Sequence, residues 1–445
     1  MPTESVSTGA RWSMLVVASV ATLSSFLFIN GVAFMIPELE ANRDITLTEA
    51  SLLSSMPSWG MVVTLIAWGY LVDHAGERIV LRLGSALTAA AAFAAASAHS
   101  LLVVGAFLFL GGMAAAGANS ATGRLVTGWF PPERRGVAMG IRQTAQPLGI
   151  ALGAAVIPEL AEHGFAAAMM FPAVICMLSG VACALGVLDP PRKPRATATT
   201  EELASPYRGS RMLWRIHAVS ALLMMPQTVT VTFMLIWLLN ERHWSVGAAG
   251  ALVTVSQLLG AVGRILAGRW SDRVGSRMRP VRTIAATAAT TMMVLGFTDR
   301  IGSSAAVWCM VVASVIAVLD NGLESTAITE FAGPYWSGRA LGTQNTTQRL
   351  AAAAGQPIFG ALIASGGYPL AWLVCGLFSL VAVPLVPARL VPPGLSVRAP
   401  RRSGRRFGWW KTGRCPGWPN EPPPPDPPAP RRRLRRDGRA AAPPT

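Results

Sequence analysis

Charge is what this 445-residue chain has least of. Only 13% of its residues are Asp, Glu, Lys or Arg, about half the ~25% that a soluble domain uses to wet its surface. That shortage excludes a soluble enzyme, and with 52% hydrophobic residues it excludes a disordered chain too. Cysteine is also scarce. The five present have neither the paired spacing of a disulfide scaffold nor a metal-site pattern, and four lie in apolar runs, where a thiol is a small hydrophobe. The five histidines form no cluster, and only His217 lies inside an apolar run rather than at or beyond its edge. There is no H-E-x-x-H, no G-x-S-x-G and no G-x-x-x-x-G-K-[ST] loop, so neither hydrolytic chemistry nor direct use of ATP is indicated. No metal or cofactor is expected.

What is present is apolar sequence in long runs. Mean hydropathy is +0.43, and twelve stretches are long enough to cross about 30 Å of hydrocarbon, which takes roughly 20 helical residues. They are 12–36, 49–72, 79–99, 101–128, 135–158, 164–188, 212–240, 246–270, 281–298, 304–329, 338–364 and 367–388. The first is too long for the apolar core of a signal peptide. The chain therefore reads as an all-α membrane protein.

The net charge of +16 does not point to nucleic acid. The stretch 389–445 holds 14 Lys and Arg against 3 Asp and Glu, leaving 24 against 19 elsewhere. Basic charge belongs to a Pro- and Arg-rich tail with too little apolar content to fold; its readings are a place on anionic lipid headgroups, which Trp409 and Trp410 favour slightly, and a passive extension with no function. Loops after even-numbered helices, with the first and last turns that flank them, carry sixteen Lys or Arg and those after odd-numbered helices three. The positive-inside rule then places both termini in the cytoplasm of a multi-pass protein of the plasma or inner membrane. The longest internal loop, 189–211, has linker chemistry. The expected organisation is a six-helix bundle (1–188), a cytoplasmic linker (189–211), a second bundle (212–388) and a basic tail (389–445).

Two bundles invite a search for a repeat. After the second helix the chain reads GYLVDHAGER (69–78), and after the eighth GRWSDRVGSR (268–277). Both contain G-x-x-x-D-x-x-G, with Gly69, Asp73 and Gly76 matching Gly268, Asp272 and Gly275 at one offset. A second pair, Gly136-x-Ala138-x-Gly140 and Gly338-x-Ala340-x-Gly342, opens helices five and eleven at nearly the same offset. The later motif glycine suits a tight turn with positive φ, and the earlier one lets a neighbouring backbone approach closely. The carboxylate between them can accept hydrogen bonds from a neighbouring helix N-terminus.

These motifs resemble the loop signature of the major facilitator superfamily, the twelve-helix secondary transporters, and WFPPERRG (129–136) with RQTAQPLG (142–149) resembles its bacterial members. The resemblance implies two pseudo-symmetric six-helix bundles, alternating access without a cofactor, and a gating role for Asp73 and Asp272 with Arg78 and Arg277 beside them. Glu77 and Ser276 depart from it, standing where the family usually has a basic residue.

Ionisable groups deep in a span usually line a cavity or have a partner. Arg142 and Arg349 are expected to hold an anionic group, among Asn30, Gln143, Gln146, Gln227, Asn321 and Gln348, with Gln257, Gln344, Asn345 and Gln356 nearby. Asp320 and Glu324, four apart on helix ten and so on one face, are the expected carriers of a coupling proton. A purely structural alternative pairs Arg349 with one of them. Arg124 and Arg264 sit near predicted helix ends, where snorkelling to the interface is expected, and Glu330 is also read as structural. Met224, Met225, Phe233 and Trp237 suggest an alternative drug-accepting pocket. The reading is a monomeric carrier of a small solute, an organic or inorganic anion, by proton coupling or exchange. The alternatives are efflux of amphipathic drugs, or a membrane sensor or scaffold on a transporter-like body.

Overall fold

The computed structural model describes residues 6–35, 47–191, 195–208 and 210–387. The tail 389–445, with its expected lipid contact, lies outside the described residues, as do parts of the first loop and the linker. Among the described residues the only regular secondary structure is helical, as it must be where a backbone crosses hydrocarbon with no water to satisfy its polar groups.

The first half comprises α1 (Thr8–Gly31), α2 (Leu47–Ala75), α3 (Glu77–Ser97), α4 (Leu101–Trp129), α5 (Pro132–Ala161) and α6 (Phe165–Gly186). The second half comprises α7 (Met212–Asn240), α8 (Val246–Val274), α9 (Met278–Arg300) and α10 (Ala305–Ala332). Its last element, Ser337–Leu385, runs for 49 residues, about 74 Å at 1.5 Å per residue and too long for one crossing. Gly367 breaks it with φ 74° and ψ 174°, giving α11 (337–366) and α12 (368–385). The two spans expected there are present, joined by a single non-helical residue. Twelve spans in two pseudo-symmetric bundles result.

Each half packs around its own side chains. Phe26, Leu27, Phe28, Leu65, Leu108 and Met169 anchor one core. Leu213, Ile216, Leu223, Ile284 and Phe331, and further along Trp237, Met310, Phe359 and Trp372, anchor the other. Burying a side chain of this kind contributes about 1.5–3 kcal/mol against water, although against lipid close packing matters more.

Two spans are interrupted at matching places. Helix α4 is interrupted at Ala116, between Leu101–Ala115 and Gly117–Trp129. Helix α10 is interrupted over 317–320, between Ala305–Ile316 and Asn321–Ala332. In the second, Val318 and Leu319 bond three residues back, to Val315 and Ile316, the tighter 3₁₀ pattern that marks a local deformation.

Candidate functional site

The halves meet most closely at the end that carries the repeated motifs. A Cβ on Gly69 of α2 would collide with the carbonyl oxygen of Gly338 on α11, and a Cβ on Gly338 with that of Gly69. Gly268 of α8 and Gly136 of α5 stand in the same reciprocal relation. One turn further, Gly140 faces the Arg264 carbonyl and Gly342 the Leu65 carbonyl. Beyond that, Gly149 and Gly153 face Leu23, Leu27 and Phe34 of their own half, and Gly355 faces Met225 and Thr228 of its own. On these crossings, α2 with α11 and α5 with α8, glycines therefore face the other half's backbone at the motif end and their own half farther along.

The motif carboxylates sit on those crossings. Asp73 accepts from the backbone N–H of Gly338 at 2.8 Å and of Arg339 at 3.1 Å, and from Arg339 Nε at 3.0 Å. Asp272 accepts from the backbone N–H of Gly136 at 2.9 Å and of Val137 at 3.0 Å. Asp73 thus satisfies the first turn of α11, where free N–H groups and the positive end of the macrodipole favour an anion, whereas Asp272 meets α5 one turn further in, at its fifth and sixth residues. The second motif glycines turn the chain as their spacing requires, with φ 104° at Gly76 and 61° at Gly275.

Around each aspartate lies an ion cluster, and the two clusters are wired differently. Arg124 of α4 pairs with Asp73 at 2.7 Å and with Glu77 at 3.0 Å, all three side chains being nearly inaccessible. Arg277 pairs with Asp272 at 2.6 Å and with Glu330 of α10 at 3.0 Å, and its Nη2 donates to the Pro132 carbonyl at 2.6 Å. Burial works against the Arg277 charge; Glu330 and Asp272 outweigh it and raise the guanidinium pKa. Arg135 joins Glu330 at 3.4 Å across the halves. Two expectations, those for Arg124 and Arg78, are corrected here, and Glu330, read as structural, has ion partners in both halves. Arg124 does not snorkel, because its helix brings it against two buried carboxylates. Glu330 is part of the inter-half cluster. Arg78 does not flank the contact: its guanidinium donates to the Ala184 carbonyl and its N–H to Asp189 at 2.8 Å, tying α3 to the end of α6 within one half.

Farther along the same helices lies a cavity of about 180 Å³, walled by both halves: Gln146 and Ile150 of α5, Met224 and Gln227 of α7, Gln257 and Arg264 of α8, and Gln356 of α11. Arg264 is the residue that sequence reasoning misplaced. Helix α8 continues to Val274, four residues past its expected end, which leaves Arg264 deeper in the span. It donates to the Gln143 carbonyl across the halves at 3.0 Å and to Val318 at 3.3 Å, a carbonyl in the α10 interruption. The Gln side chains around it were legible as intramembrane polar residues; the guanidinium among them was not.

A polar network leads away from this cavity into the second half. Gln227 accepts from Asn321 at 2.9 Å, Asn321 accepts from Gln348 at 3.0 Å, and Gln348 also donates to Ser220 at 2.8 Å. Gln344 donates to Ser220 at 3.4 Å and to Glu324 at 3.5 Å. Glu324 is fully buried, with Oε1 lacking a hydrogen-bond partner, and Asp320, also buried, lies one turn before it at the interruption.

The other expected site residues scatter. Arg142 of α5 is buried against α4, its Nη1 3.3 Å from the Asn119 carbonyl and its Nε 3.0 Å from Met139 Sδ. Arg349 lies over the Phe26 ring at 5.2 Å, reaching α1 of the other half. Among the described residues neither guanidinium has a carboxylate within 4.0 Å, so the pairing of Arg349 with Asp320 or Glu324 is corrected: α11 turns Arg349 towards the first half. Asn30 donates to the Phe26 carbonyl of its own helix at 2.9 Å. Met224 lines the cavity, whereas Trp237 is buried with Nε1 on Asp299 at 3.1 Å.

Twelve helices in two halves, crossing through glycines and jointly walling a cavity that holds an arginine and four glutamines, make a polytopic carrier. The sequence profile of the Major Facilitator Superfamily matches residues 18–356, and the chain belongs to that superfamily: it is a multi-pass membrane transporter. It is 68% identical over 98% of both chains to the uncharacterized MFS-type transporter Rv2994 of Mycobacterium tuberculosis. It is 24% identical to the probable sulfoacetate transporter SauU of Cupriavidus necator, over 82% of this chain and 90% of that one. The fold is similar to the solved proton:xylose symporter XylE, with TM-score 0.67 at 16% identity over 84% of this chain and 95% of that one.

Proposed function

We propose that the protein carries a small organic anion across the bilayer by alternating access, holding it in the central cavity against Arg264. The observation that carries this reading is the placement of one guanidinium among Gln146, Gln227, Gln257 and Gln356, in a cavity walled by both halves. A group held between the halves reports its occupancy to both, which is what alternating access about a midplane site requires. Arginine keeps its charge and presents a planar fork to carboxylate or sulfonate, and the amides supply neutral donors beside it. The relative named for sulfoacetate supports an anion of this class.

In this reading the motif end faces the cytoplasm, and Asp73 and Asp272 are its locks. The arrangement described is the state closed on that side, and opening it breaks the carboxylate contacts to the first turn of α11 and the second turn of α5. Glu324, linked to the cavity through Gln344, Ser220, Gln348, Asn321 and Gln227, carries the coupling proton, with Asp320 beside the interruption that Arg264 bridges.

The test is uptake by proteoliposomes of labelled sulfoacetate, with a neutral sugar and an amphipathic cation as comparators. Saturable uptake of the anion alone is expected. Arg264→Gln lowers uptake at low substrate by about tenfold or more, the effect of losing one hydrogen-bonded charge. Glu324→Gln retains exchange of substrate for substrate but loses accumulation driven by a proton gradient. Transport of the cation, unchanged in Arg264→Gln, would overturn the anion reading in favour of drug efflux.

A further inference from the structure

The first two turns of α7 carry a stripe that neither the gate nor the cavity uses. Arg211, Trp214, Arg215 and Ala218 follow one another at i, i+3, i+4 and i+7, so they share one side of the helix. All four are exposed, Trp214 by 55%. With Leu385 at the end of α12 they line a groove of about 400 Å³. Arg215 donates from Nε to the Leu385 carbonyl at 3.0 Å and from Nη2 to that of Pro384 at 3.3 Å, and Arg282 of α9 reaches Val383 at 3.5 Å. The last carbonyls of α12 thus satisfy part of this charge, but only as neutral acceptors. Among the described residues no carboxylate lies within 4.0 Å of Arg211, Arg215 or Arg282.

The groove therefore joins uncompensated positive charge to an apolar wall, where a helix enters the bilayer. A free anion would use the charge and not the wall; a zwitterionic lipid would use the wall while leaving the charge largely unanswered. Basic pockets between helix ends recognise anionic headgroups, an indole at this level suits the interface, and a guanidinium fork matches phosphate. We propose that this groove binds an anionic phospholipid, with Arg211 and Arg215 on the phosphate and Trp214, Ala218 and Leu385 against the upper acyl chain. The site shares no residue with the central cavity, so it does not depend on what the cavity carries.

The test uses the full chain in detergent, titrated with phosphatidylglycerol, phosphatidylcholine or inorganic phosphate, with retained lipid read by native mass spectrometry. Any lipid held by the basic tail is common to wild type and variants, so the difference between them reports the groove. Wild type is expected to prefer phosphatidylglycerol. Arg211→Gln should weaken that binding about fivefold, and Arg211→Gln with Arg215→Gln about 25-fold. Because Arg215 also holds the end of α12, the single Arg211→Gln variant keeps the test valid should the double variant prove unstable. Phosphatidylglycerol bound equally by wild type and the Arg211 variant would overturn the assignment. So would inorganic phosphate displacing the lipid at comparable concentration, which would make the arginines a simple anion site.

Discussion

The two corners at the motif end perform one task with opposite wiring. In both, an aspartate in the last turn of the second helix of its half accepts from two successive backbone N–H groups in the opening turns of a helix in the other half. At the first corner the counter-charge comes from Arg124 on α4, and the motif itself contributes a second carboxylate, Glu77. At the second, the motif contributes the cation, Arg277, and α10 the second carboxylate, Glu330. Glu77, which breaks the usual pattern of the loop, is thus explained by its partner. What the repeat preserves is a carboxylate on backbone N–H groups near the start of a helix in the other half, and a glycine on each side of the crossing; behind it each corner sets two guanidiniums against two carboxylates, Arg124 and Arg339 at one and Arg277 and Arg135 at the other.

The corners also differ in depth. Asp73 and Glu77 are fully enclosed, and Asp73 takes three donors from α11, whereas Asp272 takes two from α5 and is 6% exposed, and Glu330 is 21% exposed. Truncating one member of a buried pair costs about 3–5 kcal/mol, because the other charge is left stranded. Asp73→Ala should therefore shift the protein towards the state open at the motif end more than Asp272→Ala does, measured by thiol labelling of single reporter cysteines at the crossing. Equal shifts would show that depth does not distinguish the corners.

The crossings should respond alike where the corners do not. Gly338→Ala and Gly136→Ala each place a methyl group against a facing carbonyl, and overpacking of this kind costs about 1–3 kcal/mol. Both variants are expected to melt lower than wild type by a similar amount and to label faster at the motif end. A large disparity would mean that the two crossings are not equivalent.

The smallest effect belongs to the most exposed anion. Glu330→Gln leaves Arg277 paired with Asp272, so it should cost about 1 kcal/mol or less, as partly exposed pairs do. Glu77→Gln, in the enclosed cluster, should cost several times more, the two compared by thermal unfolding in one detergent.

The sequence reveals the spans and the corners because both are local patterns. Each span is a long apolar run, and each corner a fixed spacing of glycine and aspartate repeated at one offset. Pairings between distant segments are not local. Glu77 meets Arg124 only because α3 and α4 lie side by side, and Arg277 meets Glu330 only because α10 returns to the motif end. Arg264 was misread for a related reason: a helix end set four residues early turns a cavity residue into an interfacial one. The α10 interruption left no glycine or proline within 317–320, so nothing in that stretch announced it. The glutamines were recognisable as intramembrane polar residues, but hydropathy gives no face to residues on helices apolar nearly all round.

The central claim is that the two aspartates hold the halves together at the motif end. Its most direct test is the distance between spin labels placed across α2 and α11 at that end, measured without substrate in wild type and in Asp73→Ala with Asp272→Ala. The account predicts a short, narrow distribution in wild type and a longer, broader one in the double variant. An unchanged distribution would contradict it.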